Sequence, residues 1–374
     1  MDGFVVTHKG AEEIAALEIK EIINSICVRE DSVVIFPIKK YEELCKLCYV
    51  GQSFEHVCLF IKKGKSQEIL DEKISIDFDL NPFFGKSTTF AVRAKNFNDD
   101  IITQDAERII ADAITKNKKT KANLENPGVL FFVFINDENY YLGIDFAGRD
   151  LSKRDYRIFN PAISIKGSLA YIMVRFAGIK NNDKRTIIDP FSTNGVIGIE
   201  AAFFLNKKPI HFYTKEFAFK KLSVMKKFNF EEFFEVFDKK ILNKKLKIIC
   251  SADQFRYVDY IKKNAKLAGM EKIISYSRMD IEWLDTKFEK NSLDNVISVF
   301  PCPSKNTDKG ILEKKYKEFF YQIDFILKKD GTITGLFLQP DLFIEVAEKN
   351  NFKIIKKINI YTGKQAFSLI NFRK

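Results

Sequence analysis

Cysteine is sparse. Six in 374 residues are too few to staple a chain of this length, which excludes a disulfide scaffold and suits a reducing compartment. Long apolar runs are missing as well. No stretch reaches about 18 apolar residues, so no membrane-spanning helix is expected. The start, Met1-Asp2-Gly3-Phe4-Val5-Val6-Thr7-His8, has neither the basic region nor the apolar run of a secretory leader, and a soluble, cytoplasmic protein is the expectation. Histidine is scarcer still. None of the three begins an HxE, and Lys305 stands where Pro301-Cys302-Pro303-Ser304 would need a second cysteine. A zinc deaminase requires both features.

What is present is positive charge. Lys plus Arg number 61 against 50 for Asp plus Glu, an excess that attracts polyanions and points to nucleic acid or an anionic membrane as partner. The length suits two or three domains. Cys45 and Cys48 form one CxxC inside a helix-like segment, and His56 and Cys58 lie nearby. That grouping raises a zinc site as the lesser alternative. Phe54 to Ile61 reads instead as a strand that buries Cys58 without metal.

The pattern changes near residue 155. Apolar spacing predicts a helix over 10–26, then strand 32–36, helix 40–48 and strand 54–62. Next come strand 88–94, helix 104–115, a turn at Asn126-Pro127-Gly128, and a hairpin of strands 129–135 and 140–146. The lysine run Lys116-Asn117-Lys118-Lys119-Thr120-Lys121 suits the negative end of the helix before it. Phe90-x-Val92-Arg93, a helix, an Asn-Pro turn and a hairpin closing on Tyr141-Leu142-Gly143-Ile144-Asp145 resemble a THUMP domain with its accompanying ferredoxin-like domain. The resemblance places a ferredoxin-like domain at 1–62 and THUMP at 63–147. It implies a grip on the acceptor end of tRNA, with Arg93, Lys118, Lys119, Lys121, Arg149, Lys153 and Arg154 as candidate RNA contacts.

Gly148-Arg149-Asp150-Leu151-Ser152-Lys153-Arg154-Asp155-Tyr156-Arg157 is too polar for core and reads as a connecting segment at a functional surface. It is similar to the linker of archaeal and bacterial enzymes that methylate guanine N2 in tRNA or ribosomal RNA. Pro161 to Ala170 resembles the helix start that in those enzymes covers the methionine part of the cofactor. Residues 148–170 are therefore linker and the start of a catalytic domain over 171–374. THUMP-bearing thiouridylases need a glycine-rich SGGxDS loop, which is absent.

From residue 186 strands and helices alternate, which implies an α/β fold with a parallel sheet. Thr186-Ile187-Ile188-Asp189 reads as a strand leading through a turn into a helix from Gly195 to Phe204. Such a turn offers free N–H groups at the sheet's carboxyl edge. The family's turn reads Asp-Pro-Phe-Cys-Gly-Ser-Gly-Thr. Here it is Asp189-Pro190-Phe191-Ser192-Thr193-Asn194-Gly195-Val196, with β-branched Thr193 at the first glycine, a change expected to narrow the pocket or alter the turn. The resemblance implies a Rossmann-like class I methyltransferase domain using S-adenosylmethionine. Its cofactor residues would be Lys166, Asp189, Phe191, Asn194, Gly195, Asp253 and Asp280, with Glu200 orienting the loop. Asp253 ends a second strand, 247–253, and either accepts both ribose hydroxyls or caps the following helix. Asp280 either faces the adenine amino group or is a solvated loop acid.

Asp294 to Ser304 reads as a buried strand emerging into a proline turn. Amino-methylating enzymes carry Asn or Asp, then two prolines, at this place, and the side-chain oxygen accepts an amine N–H. The aligned residues here are Val299, Phe300 and Pro301, and valine accepts nothing. Ser298 could substitute only through a bulge that shifts the register, and Phe300 could stack on a flipped base or, as is commoner for phenylalanine, be buried in the core. Ser298, Phe300 and Pro301 are the catalytic candidates. The chain should close with an antiparallel hairpin, strands 352–360 and 366–372, and the Phe- and Lys-rich stretch at about 206–246 reads as an inserted amphipathic helical lobe, with a nucleic-acid patch as the lesser alternative. The resemblance gives a tRNA guanine-N2 methyltransferase. A catalytically degenerate tRNA-binding relative and an enzyme acting on ribosomal RNA are the alternatives.

Overall fold

The computed structural model describes all residues except 162–163 and 304–307. It divides into two compact units, Met1–Leu151 with His211–Lys239, and Ser152–Ile210 with Lys240–Lys374.

The first unit runs β1 (Asp2–Val6), α1 (Glu12–Ile23), β2 (Val28–Glu30), β3 (Val33–Pro37), α2 (Glu42–Val50), β4 (His56–Lys65), α3 (Gln67–Leu70), β5 (Phe90–Asn96), α4 (Thr103–Lys118), β6 (Val129–Ile135) and β7 (Asn139–Asp145). Its strands form one sheet, β2-β3-β1-β4-β7-β6-β5, antiparallel except for the β5–β6 pair. Side chains alternate across it. Val5, Val34, Phe36, Val57 and Leu59 join Leu44 and Cys48 of α2 and Ile110 of α4 in the main core. Phe4, Val6, Val33, Cys58, Phe132 and Tyr141 fill the other face. The zinc alternative loses its geometry here, since Cys45 and Cys48 pack in one core and Cys58 in the other. The expected boundary at 62 falls inside β4, which pairs with β7 as far as Lys65, so both halves share one sheet.

The second unit opens with α5 (Gly167–Phe176), β8 (Ile187–Asp189) and α6 (Val196–Asn206). Between α6 and the next strand, residues 211–239 belong to the first unit and carry α7 (Phe230–Asp238). The second unit resumes with β9 (Ile248–Ala252), α8 (Phe255–Leu267), β10 (Ile274–Arg278), α9 (Leu284–Lys287), β11 (Leu293–Val299), α10 (Lys309–Ile326), β12 (Leu327–Phe337), α11 (Asp341–Lys349), β13 (Lys353–Thr362) and β14 (Gln365–Arg373). The sheet order is β10-β9-β8-β11-β12-β14-β13. The first five strands are parallel, and β14 slots antiparallel between β12 and β13.

This is a Rossmann-like sheet with its strand order reversing between β8 and β11, where such folds open a crevice at the carboxyl edge. One expectation fails. Lys329-Asp330-Gly331, a tripeptide whose Asp-Gly composition predicts a turn, lies within β12, and the ladder absorbs the extra residues in an irregularity between Leu293 and Asn295.

The aromatic side chains of the inserted segment have a definite place. Phe217, Phe219, Leu222, Met225, Phe233 and Phe234 are all buried in the first unit's main core. Among the described residues, no helix is long and apolar enough to cross a membrane.

Candidate active site

The crevice at the carboxyl edge of the second sheet is a cleft of about 1450 Å³. Three acids stand at the ends of three adjacent parallel strands. Asp189 ends β8, Asp253 follows β9 and Asp280 follows β10, and all three line the cleft with Phe191 and Asn194. Gly195 and Lys166 lie outside the lining. Gly195 starts α6 at φ +77°, and a Cβ there would meet Ile261 at 3.0 Å, so it serves the turn's shape rather than a contact. Lys166 precedes the first turn of α5, while its neighbours Ser164 and Ile165 form the wall.

The turn after β8 is built by amide side chains. Asn194 donates to Asn160 Oδ1 at 2.8 Å, accepts from the Val196 N–H at 3.2 Å, and offers its own carbonyl to Asn264 Nδ2 at 3.0 Å. Gly198 lets α6 lie against β9, since a Cβ would meet Cys250 Sγ at 2.5 Å. Thr193 does not distort this arrangement. Among the described residues, those with positive φ do not include it, so a β-branched side chain fits the turn without strain.

Asp253 and Asp280 keep partly exposed carboxylates, 48% each. Asp253 does not cap α8, whose N-cap is Gln254 without a side-chain bond. Its carboxylate lies 3.6 Å from Lys315, whose ammonium also sits 5.3 Å from the Phe191 ring centroid. Lys315 comes from the solvent side of α10 and gave no signal in the sequence. The two carboxylate oxygens of Asp253 after β9 and a second acid after β10 are the acceptors that ribose hydroxyls and an adenine amine require, so these residues fit S-adenosylmethionine.

Asp189 is different. It is buried, and that burial pushes its carboxyl from the ordinary 3.8 up to about 6, despite the hydrogen bond from Ser298 that favours the ionised form. The Ser298 hydroxyl donates to Asp189 Oδ1 at 2.5 Å and accepts from the Phe191 N–H at 3.3 Å. Ser298 thus ties the end of β11 to the turn after β8.

Ser298 is therefore not the substitute acceptor that a bulge would have made it. The β11–β12 register is unbroken from Asn295↔Thr332 to Val299↔Leu336, and the hydroxyl points away from the cleft wall formed by Val299. Of its two readings, Phe300 takes the buried one rather than the base-stacking one. It is 3% exposed, with its ring centroid 4.5 Å from that of Phe343, 5.1 Å from Phe319 and Phe337, and 5.2 Å from Phe191. Its edge reaches the cleft, but no ring face is left for a base. Pro301 lines the cleft, and its carbonyl accepts the Tyr316 hydroxyl.

Arg154, expected among the RNA contacts, is inside the second unit. Its side chain is fully buried, donating to Glu200 through Nε at 2.8 Å and Nη2 at 3.1 Å, and Tyr156 donates to the same carboxylate at 2.7 Å. A desolvated charge held this way serves packing of the linker on α6, not phosphate. Lys153 is exposed. In the first unit, Arg93 donates to the Leu124 carbonyl at 2.7 Å from an exposed position. Lys118 donates to Asn81, Lys119 closes α4 at φ 45°, and Lys121 is exposed. Arg149 lies 2.7 Å from His211 and 5.9 Å from the Phe217 ring centroid.

A doubly wound parallel sheet with an antiparallel penultimate strand and three acids at its carboxyl edge defines a class I methyltransferase. Residues 154–366 match the RMKL-like methyltransferase domain, and residues 74–145 match the THUMP domain. This chain belongs to the RMKL-like methyltransferase family and is an S-adenosylmethionine-dependent enzyme. A tRNA (guanine(6)-N2)-methyltransferase of Methanocaldococcus jannaschii is 26% identical over 97% of each chain. The ribosomal RNA large subunit methyltransferase K/L of Pseudoalteromonas translucida is 25% identical over 72% of this chain but 38% of its own length. A presumed methyltransferase solved with S-adenosylhomocysteine has the same fold, with a TM-score of 0.81 at 19% identity over 100% of this chain and 97% of that one.

Proposed function

We propose that this protein methylates the exocyclic N2 of a guanine in tRNA, in the cytoplasm, and holds the RNA by its acceptor end through the THUMP-bearing unit. The observation that carries the reading is the end-to-end match to a tRNA guanine-N2 enzyme, 97% of both chains. The ribosomal relative shares little over a third of its length. In the same reading residues 1–62 are the ferredoxin-like companion of a THUMP domain at 63–147.

S-adenosylmethionine, when bound, supplies an electrophilic methyl group. Asp253 would accept the ribose hydroxyls, Asp280 the adenine amine, and the turn from Asp189 to Gly195 would shape the methionine end. Val299 offers the guanine amine no acceptor, so its N–H bonds fall to backbone carbonyls of the turn at 299–301, which Tyr316 holds through Pro301.

Incubation of the purified chain with methyl-labelled S-adenosylmethionine and either unmodified tRNA or ribosomal RNA tests this. Labelled N2-methylguanosine is expected in tRNA digests. Label only in ribosomal RNA, or on another base, sinks the assignment.

A further inference from the structure

We infer that the inserted segment and helix α4 jointly build a face of the first unit that takes the phosphate backbone of the RNA substrate. The inference rests on the reading that this chain binds RNA, and adds a second gripping element from a stretch of sequence that lies outside the THUMP match at 74–145.

Three lysines far apart in sequence reach the same turns. Lys118 of α4 donates to Asn81 and lies 5.9 Å from the Phe84 ring centroid. Lys226 of the insert has its ammonium 3.5 Å from where a Cβ on Gly85 would sit. Lys221 of the insert donates to Asn126 at 2.7 Å. The Asn126 turn belongs to the same surface, because a Cβ on Gly128 would lie 2.5 Å from Thr88, whose hydroxyl accepts the Gly85 N–H at 2.8 Å. The buried aromatics of the insert fix its backbone, so the lysines beyond them are presented rather than free to wander.

The partners of these lysines decide what they are for. Several lysines elsewhere in the unit meet carboxylates, as Lys9 does Asp31, Lys63 Glu30, and Lys95 Glu55. Lys118 and Lys221 instead anchor on neutral amide oxygens, and among the described residues none of the three makes an ion pair. Lys86 and Lys121, exposed beside them, add charge, while exposed Glu125 and Asp79, which accepts from the Asn81 side chain at 2.8 Å, offset part of it. Ammonium groups that make no ion pair, two of them held in place by neutral anchors, suit phosphate oxygens, which need point charges rather than a shaped pocket.

The test is the intact chain carrying Lys118→Gln, Lys221→Gln and Lys226→Gln together, titrated with a full-length unmodified tRNA transcript at several salt concentrations. Each lost phosphate contact lowers the log–log salt slope by about 0.7 to 0.9, so the slope should flatten by roughly 2 to 3 and affinity near physiological salt should fall roughly 10- to 100-fold. S-adenosylmethionine affinity and melting temperature should stay at wild-type values. A control with the carboxylate-paired Lys73, Lys317 and Lys349 changed to Gln has the same net charge and should keep the slope. An unchanged slope in the first variant, or an equal loss in the control, overturns the face while leaving RNA binding intact. A wild-type chain that binds no tRNA removes both the face and the RNA reading.

Discussion

The two halves of the cleft solve their problems differently. On the β8–β10 side, polar groups project into the opening. Asp253 and Asp280 are half exposed, and the asparagine relay from Asn160 through Asn194 to Asn264 holds the turn from behind. On the β11 side, the side chains that would do chemistry turn inward. Ser298 bonds Asp189, Phe300 joins the aromatic core with an edge at the cleft, and among the described residues Val299, Pro301 and Cys302 line the opening beside it. In the function proposed above, the cofactor half would work through side chains, and the transfer half through backbone and shape.

The sharpest break in that contrast is Phe300→Ala. Removing a ring packed among Phe191, Phe319, Phe337 and Phe343 should cost about 3–5 kcal/mol of stability in chemical denaturation. A variant with wild-type stability and a collapsed turnover would instead mean that the ring meets the substrate. The other half gives the next largest effect. Asp253→Ala deletes two charge-assisted acceptors, so calorimetry should show S-adenosylmethionine binding weakened on the order of 100-fold, with stability near wild type because the carboxylate is half exposed. An equal affinity would show that Asp253 does no more than hold Lys315.

The sequence made the cofactor half readable because its logic is local. A strand, a turn and a helix stand in order, and an acid after each of β8, β9 and β10 needs only correct strand ends. Most strands and helices of both units were found for the same reason. What stayed hidden depends on contacts across the fold. Nothing near Arg154 reveals that Glu200 will bury it, and nothing in the phenylalanines of 211–239 says that they complete the first unit's core rather than extend the second. Ser298 and Val299 show the limit of alternation. Period two correctly puts them on opposite faces, but only the β8–β11 adjacency shows that Ser298 then meets Asp189.

That adjacency links the two halves and sets the smallest expected effect. The Asp189 carboxyl sits at about 6 because burial disfavours its charge, and the Ser298 hydrogen bond opposes the rise. In the folded protein the group holds its proton where the unfolded chain, near 3.8, has released it. Stability of the ligand-free enzyme should therefore fall as pH rises from about 4 to 6. Binding runs the other way, because the cofactor's positive charge favours an ionised Asp189, so affinity should rise with pH through about 6. Ser298→Ala removes the bond that helps ionisation and should move that midpoint up by about one pH unit, read by calorimetry across pH 5 to 8. Asp189→Asn should flatten both profiles. If Ser298→Ala leaves the midpoint in place and lowers turnover at every pH alike, the hydroxyl belongs to the transfer half after all, and the division between side-chain and backbone work along this cleft does not hold.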